Sequence, residues 1–133
     1  MNQVFDKIRR RYVALTPEEQ VRQRIIALLI DKQNISQSLI SVEGQIKVAG
    51  KIKRYDILVY DHSLKPWIVI ECKREEVVLN KETLDQIIRY NLYLQAPYIM
   101  ITNSKQSFIF QLVPEKETQT SQIIQINSFP QMR

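Results

Sequence analysis

The sequence predicts an α/β fold, a mixed central sheet flanked by helices, and three observations carry that expectation. Two windows, one opening at Thr16 and one near residue 80, have apolar residues at helical spacing. Several shorter windows are apolar runs or alternations bounded by turn residues, which is how strands read. Their order is α-β-β-β-α-β-β, strands interleaved with helices in one short chain, which fits a sheet with helices packed on it.

Residues 1–14 are basic and carry no turn punctuation, so they read as an arm or a short helix; residues 15–133 read as a single domain. Thr16 suits a helix N-cap, with Pro17 at the first helical position and Glu19 three residues after the cap, the spacing of a capping box. The stripe Val21, Ile25, Leu28 and Leu29 then predicts a helix to about Lys32. Residues 39–48 and 51–60 read as two strands joined at Ala49-Gly50. Asp61 to Pro66 is a turn into a third strand, Trp67 to Lys73. A polar stretch, Arg74 to Lys81, precedes a second helix over 80–95 that stops before Pro97. Residues 97–102 and 107–113 are strands separated by Asn103-Ser104-Lys105. Pro114 to Ser121 is polar and loop-like, and 122–128 is a candidate edge strand.

With 133 residues the chain can bury a substantial core, and 44% apolar with 25% charged residues is ordinary globular composition. A net charge of +5 permits a polyanionic partner without requiring one. The single cysteine, Cys72, excludes an internal disulfide and supplies no metal-ligand spacing. No apolar run reaches the length needed to cross a bilayer and no apolar signal core follows Met1, so a soluble, cytoplasmic protein with no membrane partner is expected. Only Gly44 and Gly50 occur, so the sequence holds no phosphate-cradling glycine loop and no ATPase motor is expected within it.

The informative feature is charge inside apolar runs. Asp56 interrupts Tyr55-Asp56-Ile57-Leu58-Val59, and Glu71-Cys72-Lys73 follows Trp67-Ile68-Val69-Ile70. Side chains alternate along a strand, so Glu71 and Lys73 share one face while Cys72 points to the other. Buried charge is costly unless paired or bound to a metal. An acid on one strand facing an acid and a lysine on the next is the geometry of a divalent-metal phosphodiesterase site. The competing structural account is a cross-strand ion pair between Asp56 and Lys73.

Asp56, fourteen intervening residues, then Glu71-x-Lys73 resembles the PD-(D/E)xK nuclease superfamily, with Tyr55 where the superfamily's name places proline. Thr16-Pro17-Glu18-Glu19-Gln20-Val21-Arg22-Gln23, the Gln86-x-x-x-Tyr90 pair, Ala96-Pro97-Tyr98 and Ile101-Thr102-Asn103 narrow the likeness. Over residues 15–113 the chain resembles the N-terminal nuclease domain of type I restriction enzyme R subunits in a small stand-alone form. That resemblance implies a restriction-endonuclease-like α-β-β-β-α-β core and Mg²⁺-dependent hydrolysis of phosphodiester bonds, in DNA, with Mn²⁺ able to substitute. It makes Asp56, Glu71, Lys73 and Gln86 catalytic, with Asp56, Glu71 and the backbone carbonyl of Cys72 as metal ligands. Lys73 positions the attacking water, and Gln86 and Tyr90 face the site from the second helix.

Glu18 falls on the Val21/Ile25 stripe and is the favoured helix-one acid in a supporting role, Glu19 being accounted for by the capping box. Lys51, Lys53, Arg54, Arg74 and Arg89 are candidate nucleic-acid contacts, although a basic hairpin is as readily a solvated edge that resists sheet-to-sheet association. The plain alternative for Gln86 is a capping partnership with Thr83, and for Tyr90 a packing role. His62 sits in a turn with no partner motif and is read as surface. A motor, a methyltransferase or specificity subunit, and a second copy of the chain are the protein partners left open. A non-cleaving DNA- or protein-binding module of the same fold is the alternative function.

Overall fold

The computed structural model describes residues 2–115 and 121–132. The main sheet has six strands in the order β10-β9-β8-β7-β6-β3. They are β3 (Ile40–Val42), β6 (Ile57–Tyr60), β7 (Pro66–Cys72), β8 (Tyr98–Thr102), β9 (Ser107–Pro114) and β10 (Ser121–Ile126). Only β7 and β8 run parallel, joined by the crossover helix α2 (Lys81–Leu94); the other pairs are antiparallel. β7 is buried on both faces, which is why its sequence is a continuous apolar run rather than an alternation.

Helix α1 (Pro17–Asp31) lies on one sheet face and α2 on the other. Val21, Ile25 and Leu29 of α1 pack with Ile57, Val59, Ile68, Ile70 and Cys72. Ile87 of α2 packs with Leu58, Val69, Ile99 and Ile101, the alternate residues of the same strands. Thr16 caps α1 by accepting a hydrogen bond from the Glu19 amide at 3.1 Å, as expected. The return half of the capping box is not made: the Thr16 amide donates to the Ala14 carbonyl, and the Glu19 side chain goes elsewhere. Asn80 caps α2 through the Thr83 amide, so Gln86 is not a capping partner of Thr83. Leu28, expected on the packed stripe of α1, is exposed and Ile26 is buried in its place; on α2, Leu92 is exposed and Asn91 is buried, holding the amide and carbonyl of Ala96.

Two segments differ from expectation. Residues 1–14, expected as an arm or short helix, hold a β-hairpin, β1 (Gln3–Asp6) with β2 (Arg11–Ala14). Asp6 builds its turn by accepting from the Ile8 and Arg9 amides, a side-chain device rather than a Gly or Pro signal. The strands expected over 39–48 and 51–60 each break in two. β4 (Gln45–Val48) pairs with β5 (Lys51–Arg54) as a separate ribbon around the predicted turn, where Ala49 and Gly50 both have positive φ.

The break comes at Glu43-Gly44 against Tyr55-Asp56. Glu43 has φ 53°, and a Cβ on Gly44 would lie 1.9 Å from the Tyr55 hydroxyl, which bonds Ser41 at 2.8 Å. Tyr55 therefore crosses directly over Gly44. The loop expected at 114–121 lies largely outside the described residues, and the edge strand expected at 122–128 is β10. No helix among the described residues is long and apolar enough to cross a membrane.

Gly44→Ala is expected to destabilise the protein by about 1–3 kcal/mol, the usual cost of overpacking. Urea unfolding checks this, and a stability equal to wild type would mean that Tyr55 does not sit over Gly44.

Candidate active site

The site is assembled where β6 begins and β7 ends. The ladder pairs Ile57 with Ile70, and one step further that register sets Asp56 opposite Glu71. Asp56 precedes β6 rather than interrupting a longer strand, because the chain bends at Tyr55-Asp56. One of its oxygens, Oδ2, accepts from the Cys72 amide at 2.7 Å; the other, Oδ1, accepts from the Arg22 guanidinium at 3.0 Å. Cys72 thus contributes its backbone to the site while its side chain is fully buried in the core, on the far face from Glu71.

Glu71 accepts a hydrogen bond from the Tyr90 hydroxyl at 3.1 Å, and Lys73 Nζ lies 3.5 Å from its other oxygen. The Asp56–Lys73 ion pair of the plain structural account is not formed: Lys73 turns to Glu71, and Arg22 supplies the cation for Asp56. Burial, and then the charge of Asp56, push the Glu71 carboxyl up to about 7 against the partial relief from Lys73 and Tyr90. Burial and the neighbouring Glu71 charge raise the Tyr90 hydroxyl well above its ordinary range, so it remains a donor at neutral pH.

A cleft of about 410 Å³ opens beside Lys73, lined by Glu18, Lys73, Arg74, Thr83 and Gln86 among others. Gln86 is exposed on its wall, and Glu18, its side chain 49% exposed, is 3.7 Å from Arg22. Burial and then Asp56 raise the Glu18 carboxyl. Glu18 therefore borders the site from its open side, whereas the inward acid of helix one is Glu19, the reverse of the order read from the stripe. Lys51, Lys53 and Arg54 are exposed along β5, and Arg74 is an exposed wall of the cleft. Arg89 is exposed on α2 and does not line the cleft.

Arg22, which the sequence did not single out as a site residue, is the centre of a buried ionic network. Its guanidinium is 2.7 Å from Glu19, 3.0 Å from Asp56 and 3.4 Å from Glu43. Arg9, on the turn of the N-terminal hairpin, contacts the same Glu19 at 2.7 Å and Glu43 at 3.1 Å, and is itself held by Asp6. Burial alone would lower the Arg22 pKa; the charges of Asp56 and Glu19 outweigh it and hold the guanidinium charged. Its Nε is buried without a hydrogen-bond partner. A signal did exist: Arg22, Ile25, Ile26 and Leu29 have helical spacing, which puts a cation on the inward stripe.

Residues 17–130 match the family model described as the type I restriction enzyme R protein N terminus. The chain belongs to that family. Asp56 and Glu71-x-Lys73, the residues that resemble the PD-(D/E)xK pattern, sit on a mixed sheet with flanking helices, and Gln86 and Tyr90 lie on the crossover helix α2. No curated protein matches the chain. Among solved structures, a chain of the DrdV–DNA complex determined by cryo-electron microscopy is similar at 23% identity with a TM-score of 0.48. The likeness covers 83% of the present chain and 10% of that one, so this family member spans a small part of that much longer protein.

Two outcomes follow from the charges. Arg22→Met leaves Asp56 and Glu19 buried without their shared cation and is expected to cost about 3–5 kcal/mol in denaturant unfolding. Glu71, raised when folded, binds its proton more tightly in the native state than in the unfolded one. The metal-free protein should therefore lose stability as pH rises from about 4.5 to about 7, by on the order of 3 kcal/mol. Glu71→Gln should flatten that slope and be the more stable form at pH 8; a slope unchanged by this substitution would show that Glu71 titrates normally.

Proposed function

We propose that this domain is a Mg²⁺-dependent nuclease that hydrolyses phosphodiester bonds in DNA. The observation that carries the reading is the opposed Asp56–Glu71 pair with Lys73 at the mouth of a cleft whose wall carries Gln86. The acid pair suits a hard divalent cation. Each carboxylate oxygen has two lone pairs and only one is engaged in the contacts above. The repulsion that raises Glu71 is what such an ion relieves. Among the described residues no three His, Cys, Asp or Glu side chains are grouped as a metal cage. Two carboxylates and the Cys72 carbonyl match instead the few protein ligands and retained waters of Mg²⁺, with Mn²⁺ as substitute.

Bound there, the ion supplies Lewis-acid polarisation of the phosphate and a more acidic water. The protein's own groups do the rest. Tyr90 and Lys73 fix the two oxygens of Glu71, and the Cys72 amide with Arg22 fixes Asp56. Lys73, held by a single carboxylate, presents ammonium protons to the cleft, where they orient water and offset charge that develops on the phosphate. Gln86 contributes a hydrogen-bonding amide on the wall, and Glu18 orders water at the rim. Lys51, Lys53, Arg54 and Arg74 contact backbone phosphates, positioning DNA without reading sequence, with Arg89 as an outlying contact on α2. A motor or a methyltransferase/specificity subunit brings the domain to its target, and a second copy is a further candidate partner.

One observation favours the non-cleaving alternative: Arg22 already supplies Asp56 with positive charge. The two readings are separated by Mn²⁺ titration and plasmid nicking. Wild type is expected to bind one Mn²⁺ per chain with nicking activity, and Asp56→Ala to lose both. Lys73→Ala should abolish nicking, by 10²-fold or more on the order of magnitude known for lost electrostatic stabilisers, while still binding Mn²⁺. Intact supercoiled and single-stranded DNA across a broad pH range with wild-type protein and Mn²⁺ would leave the binding-module reading standing.

A further inference from the structure

The N-terminal hairpin carries an exposed aromatic pair that neither the core nor the acid site uses. Phe5 and Tyr12 are directly opposed across β1 and β2, with ring centroids 5.2 Å apart and ring planes at 74°. An edge-to-face pair leaves ring faces uncovered by the partner, and here Phe5 is 48% and Tyr12 66% exposed. They occupy the outward face of the hairpin, since alternation sets them opposite to Asp6, which is fully buried.

The surroundings are basic. Among the described residues the ion pairs of the hairpin all belong to Arg9, while Lys7, Arg10 and Arg11 are exposed around the same turn. Large exposed aromatic rings beside exposed, uncommitted cations are the combination that holds unpaired bases by stacking and their backbone by charge.

The hairpin is also fixed in position relative to the acids. Arg9 ties it to Glu19, and through Glu19 to Arg22 and Asp56. A second cleft of about 510 Å³ runs beside it, lined by Arg9, Arg11, Tyr12, Glu18, Arg22 and Glu43 among others. Tyr12 lines this second cleft, and Glu18 lines both it and the cleft beside Lys73, so the aromatic side of the hairpin neighbours the acid site.

From this arrangement we propose that the Phe5–Tyr12 face of the hairpin is a stacking platform for unpaired bases. It holds a single-stranded or frayed stretch of nucleic acid while Lys7, Arg10 and Arg11 contact its phosphates. The proposal rests on the reading that this domain handles nucleic acid, and it adds that the favoured form is locally unpaired. The acidic floor supplied by Glu18 and Glu43 keeps phosphates at the basic rim and leaves the rings to the bases.

The test is fluorescence anisotropy of a labelled oligothymidylate and of a blunt duplex, both in EDTA so that neither metal nor cleavage enters. Phe5→Ile/Tyr12→Ile keeps strand-forming, apolar side chains but removes the π faces. It is expected to weaken oligothymidylate binding roughly tenfold or more, while duplex affinity stays within about twofold. Replacing Lys51, Lys53 and Arg54 by alanine should instead weaken both ligands and flatten their salt dependence.

Ultraviolet crosslinking of oligothymidylate to wild-type protein, mapped by mass spectrometry, should mark Phe5 or Tyr12; this arm needs no variant to fold. Unchanged oligothymidylate affinity in the double variant, equal losses for both ligands, or crosslinks confined to other residues would each overturn the platform. The first of these outcomes leaves the aromatic pair as a hairpin contact or a protein-facing patch. Absent metal binding or nicking would sink the nuclease reading and leave this one untouched.

Discussion

The buried guanidinium of Arg22 is the interaction on which the rest of the structure depends. It lies between Glu19 and Asp56, and so joins the first turn of α1 to the bend that begins β6. Through Glu19 the same network reaches Arg9 and the N-terminal hairpin, and through Glu43 the bend that ends β3. Such a network contributes little net stability relative to an apolar replacement, because desolvation offsets most of the attraction. Losing one member is another matter, since the remaining charges are then buried alone. The network therefore acts chiefly as a registration device: four chain segments remote in sequence must meet in one geometry or strand a charge.

The acid site inherits its geometry from that constraint and from the ladder. Antiparallel pairing of Ile57 with Ile70 brings Asp56 against Glu71, and the Cys72 amide locks Asp56 from the same side. Glu71 lies within β7 and Asp56 in the bend just before β6, so the ladder and the Cys72 amide together hold the pair in place. Arg22 and Lys73 divide the neutralisation, Arg22 taking Asp56 and Lys73 taking Glu71. Burial first, and then the charge of Asp56, push the Glu71 carboxyl up to about 7 despite Lys73. In the proposed nuclease reading, a divalent cation makes up the shortfall of positive charge between the two acids.

Much of this could be read along the chain. Thr16 and Pro17 mark the start of α1, Pro97 bounds α2, and Ala49-Gly50 marks the ribbon turn, because caps and turns are local chemistry. Asp56, Glu71 and Lys73 stand out because charge inside an apolar run needs an explanation. Glu18 and Glu19 were read in the wrong order because the capping-box signal accounts for the Glu19 amide contact and not for where its carboxylate goes. The hairpin at residues 3–14 escaped notice because its turn is made by an Asp6 side chain, with neither Gly nor Pro to announce it.

By itself the sequence determined the α/β class, the helix ends, the buried strands and the linear positions of the two acids and the lysine, all signals carried within a few residues of one another. Only the tertiary structure decided which cation faces Asp56, since Arg22 and Asp56 are 34 positions apart and a guanidinium's partner depends on which segments the fold brings together. It also decided that the strands break at Gly44 and Tyr55, where a ring from one strand occupies the space a Cβ on the other would need. Periodicity and capping act along the chain, whereas counter-charge and steric fit act across it, and that difference in range is why the first could be read from residue order and the second could not.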